Sequence, residues 1–370
     1  MIRRIFVDEK VVSETLTRRI LKNSRDIPVE VVPNRRPIDE LIAAAEDPVG
    51  ESKKILWLTR QKGGFVKPCP CTPMYIGCNY FIINSVLNCP LDCSYCILQL
   101  YLGPSPVTVF VNLEDMRKGW DAFIRRRSGR FFRIGTGELA DSLALDPLTR
   151  TAGEFISYFK TKPNAFFELK TKTINIQGIL EAEPAENIVV SWSLNSVGIA
   201  RKEERGAPSV SERIEAAREV VSRGFHVGFH FDPLVIHPGW EDAYGRVIER
   251  LLRTIPPTWI RWISLGSLRF SPALKGVIED RFPGSRIILG EMVPGRDGKL
   301  RYFKPLRLEL YRRIVGLLQE NGGERIPLYF CMEDGEVWQK VLKKNPGRKD
   351  DVELALSPRV KGSRSNLRLY

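Results

Sequence analysis

Cys89, Cys93 and Cys96 follow the spacing C-x3-C-x2-C in the run Asn-Cys-Pro-Leu-Asp-Cys-Ser-Tyr-Cys that starts at Asn88. Three thiolates on one short loop can wrap one face of a cubane iron–sulfur cluster, because soft sulfur ligands suit iron–sulfur and zinc sites. A set of three leaves the fourth iron without a protein ligand, whereas clusters that only carry electrons are usually closed by a fourth cysteine. Structural zinc loops pair their cysteines as C-x2-C modules instead. The spacing therefore points to an open cluster. A second group, Cys69, Cys71 and Cys78, lies just upstream as C-x-C-x6-C among prolines. So stiff a loop could bind an auxiliary cluster or zinc, but no fourth ligand is evident, and free buried thiols are the alternative.

The elements that must position these residues can be read from periodicity. From residue 80 onward, strands expected at 80–85, 131–134, 165–169, 188–194, 225–231 and 259–265 alternate with helices at 113–126, 148–160, 177–181, 210–222 and 241–253. That is the signal of βα units around a parallel sheet. The class is α/β, and six repeats suggest a partial, open (β/α)6 barrel of the TIM type. In such barrels the site lies at the carboxyl ends of the strands, and the cysteine loop follows the first of them. Residues 1–78 read as a small α/β lead-in, with helices at 11–22 and 38–45 and a strand at 54–59. The barrel would occupy 79–285. A C-terminal extension over 286–345 would hold a hairpin, a helix and a strand at 326–330, followed by a basic tail over 346–370.

The cysteine loop, with Tyr95 before its last cysteine, resembles the signature of the radical S-adenosylmethionine enzymes. The chain is further similar to the spore photoproduct lyase family within them. Gln99 and Leu102-Gly103 carry the likeness, which continues in order through 109–115, 141–149, 167–170, 193–196, 213–218, 228–233 and 239–241. The resemblance implies a 4Fe-4S cluster on Cys89, Cys93 and Cys96, and S-adenosylmethionine chelated by the open iron. It implies a 5′-deoxyadenosyl radical that takes hydrogen from a thymine–thymine adduct in DNA, after which the linking bond breaks and hydrogen is returned. A reductase, ferredoxin or flavodoxin would supply the electron.

The same resemblance assigns residues. Lys170, ending the third strand, would pair with the methionine carboxylate, and Ser193, ending the fourth, would add a hydroxyl contact, with Asn195 beside it. In Gly135-Thr-Gly137-Glu138 the glycines would let the backbone approach a ligand, and Glu138 would accept from the cofactor's ammonium. One departure stands out: where the well-known lyases return hydrogen from a cysteine, this chain has Glu138, and Ile97 replaces a family tyrosine. Tyr95 and Cys331 are then the candidate donors. His226 and His230, four apart on one strand, are too far apart to share a metal, being about 13 Å apart at roughly 3.3 Å per residue. Asp232 and His237 could touch substrate.

A formal net charge of +13 suggests a polyanionic partner, although residues 340–370 hold nine Lys or Arg against three acids and supply six of it. A hairpin expected over 293–304, turning at Asp297-Gly298, carries Arg296, Lys299, Arg301 and Lys304 with Tyr302 among them, a set suited to DNA phosphates and bases. No run of 18 apolar residues is present, and the amino terminus has no apolar signal core. A cytoplasmic monomer is expected. Two other functions fit the same features: an enzyme of this fold acting on another nucleic acid, and a cluster-bearing DNA-binding protein without turnover.

Overall fold

The computed structural model describes residues 2–72, 75–127 and 130–347, together with Val352 and Leu356. Its main sheet has eight strands in sequence order: β1 (Val66–Pro68), β2 (Tyr80–Ile83), β3 (Phe132–Gly135), β4 (Ala165–Thr171), β5 (Ile188–Ser193), β6 (His226–Leu234), β7 (Ile260–Ser267) and β8 (Leu328–Phe330). β1 pairs antiparallel with β2, and the other seven run parallel and curl into a half-barrel. The crossovers carry α1 (Leu113–Arg125), α2 (Ala152–Phe159), α3 (Gln177–Leu180), α4 (Val210–Ser222), α5 (Trp240–Thr254) and α6 (Lys304–Glu320).

The local reasons are simple. All six positions of β5 are buried, as a parallel strand covered on both faces requires. α4 opens with a capping box, Ser209 and Glu212 satisfying each other's backbone amides. α5 sends Tyr244, Val247, Ile248 and Leu251 into the core at helical spacing. The barrel has a seventh parallel strand beyond the six expected. β8 pairs with β7 through Ile263↔Leu328 to Leu265↔Phe330, so part of the expected extension completes the barrel. Its three residues come after a long excursion, and no periodicity survives to count them into the sheet.

The lead-in forms a second sheet, in the order Val29–Val32, Arg4–Asp8, Ile55–Thr59, Val107–Phe110 and Val86–Leu87. The last two strands lie beyond residue 78 and pair antiparallel with each other. Both ends of the cysteine loop are therefore anchored in the N-terminal sheet, while the barrel lies alongside. A third sheet joins Arg269–Phe270 to a hairpin of Met292–Pro294 and Leu300–Tyr302. Gly298 takes a φ of +73° in that hairpin's turn, a conformation glycine adopts without steric cost. The basic tail is described only at residues 346, 347, Val352 and Leu356, and the last two join the main core. Among the described residues, no helix is long and apolar enough to cross a membrane.

Candidate active site

The cysteine loop is held from several directions. Asn88 starts it with a φ of +67°, its amide donating to the Ser105 carbonyl at 2.6 Å. The Gln99 amide donates to the carbonyls of Ser94 at 2.8 Å, Cys93 at 3.2 Å and Cys96 at 3.3 Å. Arg281 in turn binds the Gln99 side-chain oxygen and Asp92. Asp92 and Cys93 pair with Glu204 and Arg205 across a short antiparallel ladder. The Tyr95 hydroxyl donates to Glu204, whose carboxylate also pairs with buried Arg213 at 2.6 Å. Burial, reinforced by Glu204, keeps the Tyr95 phenol protonated well above its ordinary range.

Cys89 and Cys93 are buried with Leu91 and Leu98, and Cys96 is half-buried beside them. Burial pushes the Cys89 thiol up to about 12 and Cys93 higher still. Among the described residues, no three His, Cys, Asp or Glu side chains stand close enough to share one metal ion.

A cavity of about 610 Å³ opens at the carboxyl ends of the strands. Tyr95 and Cys96 reach it from the cysteine loop, Glu138, Lys170, His230 and Asp232 from the barrel, and Leu139, Leu268 and Phe270 supply apolar wall. Lys170 Nζ stands 3.4 Å from Glu138 Oε1. Burial opposes the ammonium's charge, but Glu138, Asp232 and Glu168 overcome it and hold Lys170 protonated far above its ordinary range. Deeper in, Glu168 accepts from Ser191 at 2.5 Å and lies 2.8 Å from His230 Nε2, with Trp262 at 3.2 Å. His230 Nδ1 meets Ser264 at 2.6 Å.

All four cysteines outside the cysteine loop face this cavity. The Cys69 amide donates to the Tyr80 carbonyl at 2.8 Å, just past the end of the β1–β2 ladder, and the Cys71 amide then turns back onto the Cys69 carbonyl at 2.7 Å. A Cβ at Gly77 would lie 2.7 Å from Cys71 Sγ. An isolated antiparallel bridge joins Ile76 to Glu333 beside these cysteines. The Cys331 sulfur accepts from Arg269 Nη2 at 3.2 Å, and Arg269 also clasps Asp232 at 3.0 and 3.2 Å. Burial of Asp232 is outweighed by this guanidinium, which holds its carboxyl down at about 2. Burial, with Asp232 next to it, raises the Cys331 thiol well above its ordinary range.

Other expected residues fall elsewhere. A Cβ at Gly135 would stand 2.0 Å from the Tyr80 hydroxyl, and one at Gly137 would stand 2.8 Å from Lys170 Cβ, so strand packing itself requires both glycines. Ser193 and Asn195 are buried behind the cavity wall. The Ser193 carbonyl accepts from Arg213, while the Asn195 amide donates to the Pro233 carbonyl and its oxygen accepts from Tyr244. His226 meets Glu186, and His237 meets Ser196.

The hairpin forms, but its residues divide. Arg301 is 1% exposed, paired with Asp297 at 2.7 Å and stacked over Tyr75, and Tyr302 is 2% exposed, accepting from the Ile236 amide. Those two hold the hairpin itself, because folding the turn brings Asp297 onto Arg301. Lys299 pairs with Asp297 and donates to Thr72 at the cavity wall. Lys304 pairs with Asp334 and Glu336. Arg296 is exposed, as is Phe303 at 54%. Sequence reasoning missed Lys53, Glu204 and Arg269, whose partners lie far along the chain.

A family model described as spore photoproduct lyase matches residues 78–305. The chain is 28% identical over 214 residues to the spore photoproduct lyase of Bacillus subtilis, covering 57% of this chain and 63% of that one. It is 28% identical over the same length to that of a Geobacillus species, again covering 57% and 63%. The match thus spans less than two thirds of either relative. A solved spore photoproduct lyase variant with bound AdoMet and dinucleoside spore photoproduct superposes with a TM-score of 0.77 at 22% identity, covering 89% of this chain and 98% of that chain. That likeness establishes the curled half-barrel fold.

Proposed function

The chain belongs to the spore photoproduct lyase family, and from that premise we propose that it is a radical S-adenosylmethionine lyase that reverses a thymine–thymine adduct in DNA. The observation that carries this reading is the meeting of Cys96, Lys170 and Glu138 on one cavity at the carboxyl ends of the strands. The relatives' names, and the AdoMet and dinucleoside photoproduct bound by the solved neighbour, support it. The residues fit the implied groups. Three soft sulfur donors cluster on one loop, and an ammonium and a carboxylate 3.4 Å apart complement the two charged ends of an amino acid.

Cys89, Cys93 and Cys96 would hold the cluster, which together with S-adenosylmethionine would supply the radical chemistry that opens the adduct. Lys170 holds the methionine carboxylate and Glu138 its ammonium, each exchanging its present partner for the ligand. Leu139, Leu268 and Phe270 exclude water from the reacting carbon. Cys331 returns hydrogen, its S–H breaking to leave a thiyl radical that the external reductant restores, since an S–H bond yields hydrogen more readily than the Tyr95 O–H, which is engaged with Glu204. Arg296, Lys299, Lys304 and exposed Phe303 form the DNA-facing edge. A reductase, ferredoxin or flavodoxin delivers the electron to a cytoplasmic monomer.

Anaerobic incubation of the reconstituted protein with reductant, S-adenosylmethionine and an adduct-containing oligonucleotide is expected to yield unlinked adjacent thymines within the strand and 5′-deoxyadenosine. Cofactor cleavage with the adduct untouched would pass the assignment to the second reading, another nucleic acid substrate, which Glu138 in place of the family's cysteine favours. A loaded cluster without any cofactor cleavage would leave only a DNA-binding protein.

Cys69, Cys71 and Cys78 are proposed to hold a second metal centre, which their common place on the cavity wall supports. Replacing all three with alanine should lower the iron and sulfide count of the reconstituted protein while the first cluster remains. Equal metal content in two folded samples would remove that centre.

A further inference from the structure

Lys53 is the first unexplained charge in the molecule. It is 3% exposed, and it follows the short helix Pro48–Ser52 and leads into the strand Ile55–Thr59 of the N-terminal sheet. Its Nζ donates to the Leu91 carbonyl at 2.9 Å and the Cys89 carbonyl at 3.2 Å, inside the cysteine loop. Its nearest counter-charge is Asp92 Oδ1 at 3.9 Å. That carboxylate is shared, because Arg281 binds it at 3.1 and 3.2 Å and is itself paired with Asp47. Two cations thus stand over one carboxylate of the loop, and one of them touches only neutral carbonyls otherwise.

Burying an ammonium against neutral groups is costly. A tether for two carbonyls does not need that charge, since an amide would do. What the charge adds is a field. The potential of an iron–sulfur centre depends on nearby net charge, hydrogen bonding and exposure, and opposite charges attract strongly where water is excluded. Reduction adds one negative charge to the centre, so a fixed cation beside the loop favours the reduced state.

We propose that Lys53, supplied by the N-terminal sheet, is a positioning residue that raises the reduction potential of the centre held by Cys89, Cys93 and Cys96, with Asp92 opposing it. This rests on the reading that those cysteines hold a cluster. The lead-in is then a working part of the electron-accepting apparatus as well as the frame of the loop.

The test is an anaerobic potentiometric titration, read by electron paramagnetic resonance, of four full-length reconstituted proteins: wild type, Lys53→Gln, Lys53→Arg and Asp92→Asn. Iron and sulfide counts come first; a wild type that takes up no cluster would defeat the underlying reading before Lys53 is reached. With loaded samples, Lys53→Gln should move the midpoint to lower potential by about 59 mV, a tenfold change in the reduced-to-oxidised ratio for a one-electron couple. Lys53→Arg should stay near wild type, and Asp92→Asn should move the midpoint upward. Unchanged midpoints in Lys53→Gln and Asp92→Asn overturn the proposal. Should Lys53→Gln fail to load, an unmoved or lowered midpoint in Asp92→Asn overturns it alone.

Discussion

Replacing Cys93 with alanine is expected to abolish cleavage of S-adenosylmethionine, a loss of at least about 100-fold, since disturbing even the residues behind a metal ligand costs roughly 10- to 100-fold. The fold should survive. Cys93 packs among Leu91 and Leu98 and forms no disulfide. A buried thiol behaves as a small hydrophobe, so removing one sulfur costs on the order of 1 kcal/mol. The backbone ladder to Glu204 does not use its side chain. The measurement pairs iron and sulfide counts with chromatography of 5′-deoxyadenosine, and circular dichroism confirms folding. Cys89→Ala and Cys96→Ala should behave alike. A Cys93→Ala protein that binds its full iron complement and cleaves the cofactor at the wild-type rate would take the centre away from this loop.

The legible part of this molecule is the part whose causes lie close together in the chain. Cys89, Cys93 and Cys96 are fixed by covalent spacing, so their common fate can be read without any fold. β5 and α5 are legible because their burial follows one period over many residues. The N-terminal sheet is less so: Val107–Phe110 pairs with Ile55–Thr59, and nothing within its four residues announces a partner so far upstream. The charges show the limit most clearly. Arg301 looks like a phosphate contact beside Arg296, yet the turn between them folds Asp297 onto it and buries it. Lys53 looks like a strand-edge cation, yet a loop 36 residues later closes over it. Sequence shows which charges exist; only the fold shows which are spent inside.

Cys331→Ala is the change expected to separate hydrogen return from the rest of the reaction. The sulfur lines the cavity that Lys170 and Glu138 also face, and Arg269 and Asp232 hold it there. Burial first, and Asp232 next, keep it a thiol rather than a thiolate well above its ordinary range. The protonated S–H form is thus favoured, and the neighbouring Asp232 carboxyl is held down at about 2 by Arg269. Removing the sulfur should leave cofactor binding intact, because neither Lys170 nor Glu138 depends on it for a contact. With adduct-containing DNA, the variant should still form 5′-deoxyadenosine. The yield of thymine should fall by roughly tenfold or more, equivalent to about 1.4 kcal/mol of barrier for that step. The missing product should reappear as trapped by-products of the unquenched radical, which mass spectrometry of the oligonucleotide would detect. Cys331→Ser should resemble alanine, since a serine hydroxyl fits the place but holds its hydrogen more tightly. Thymine formed at the wild-type rate by either variant would clear Cys331 of the role and turn attention to Tyr95. There, Tyr95→Phe would be the next substitution, because it removes the hydroxyl bound to Glu204 and keeps the ring beside Lys172.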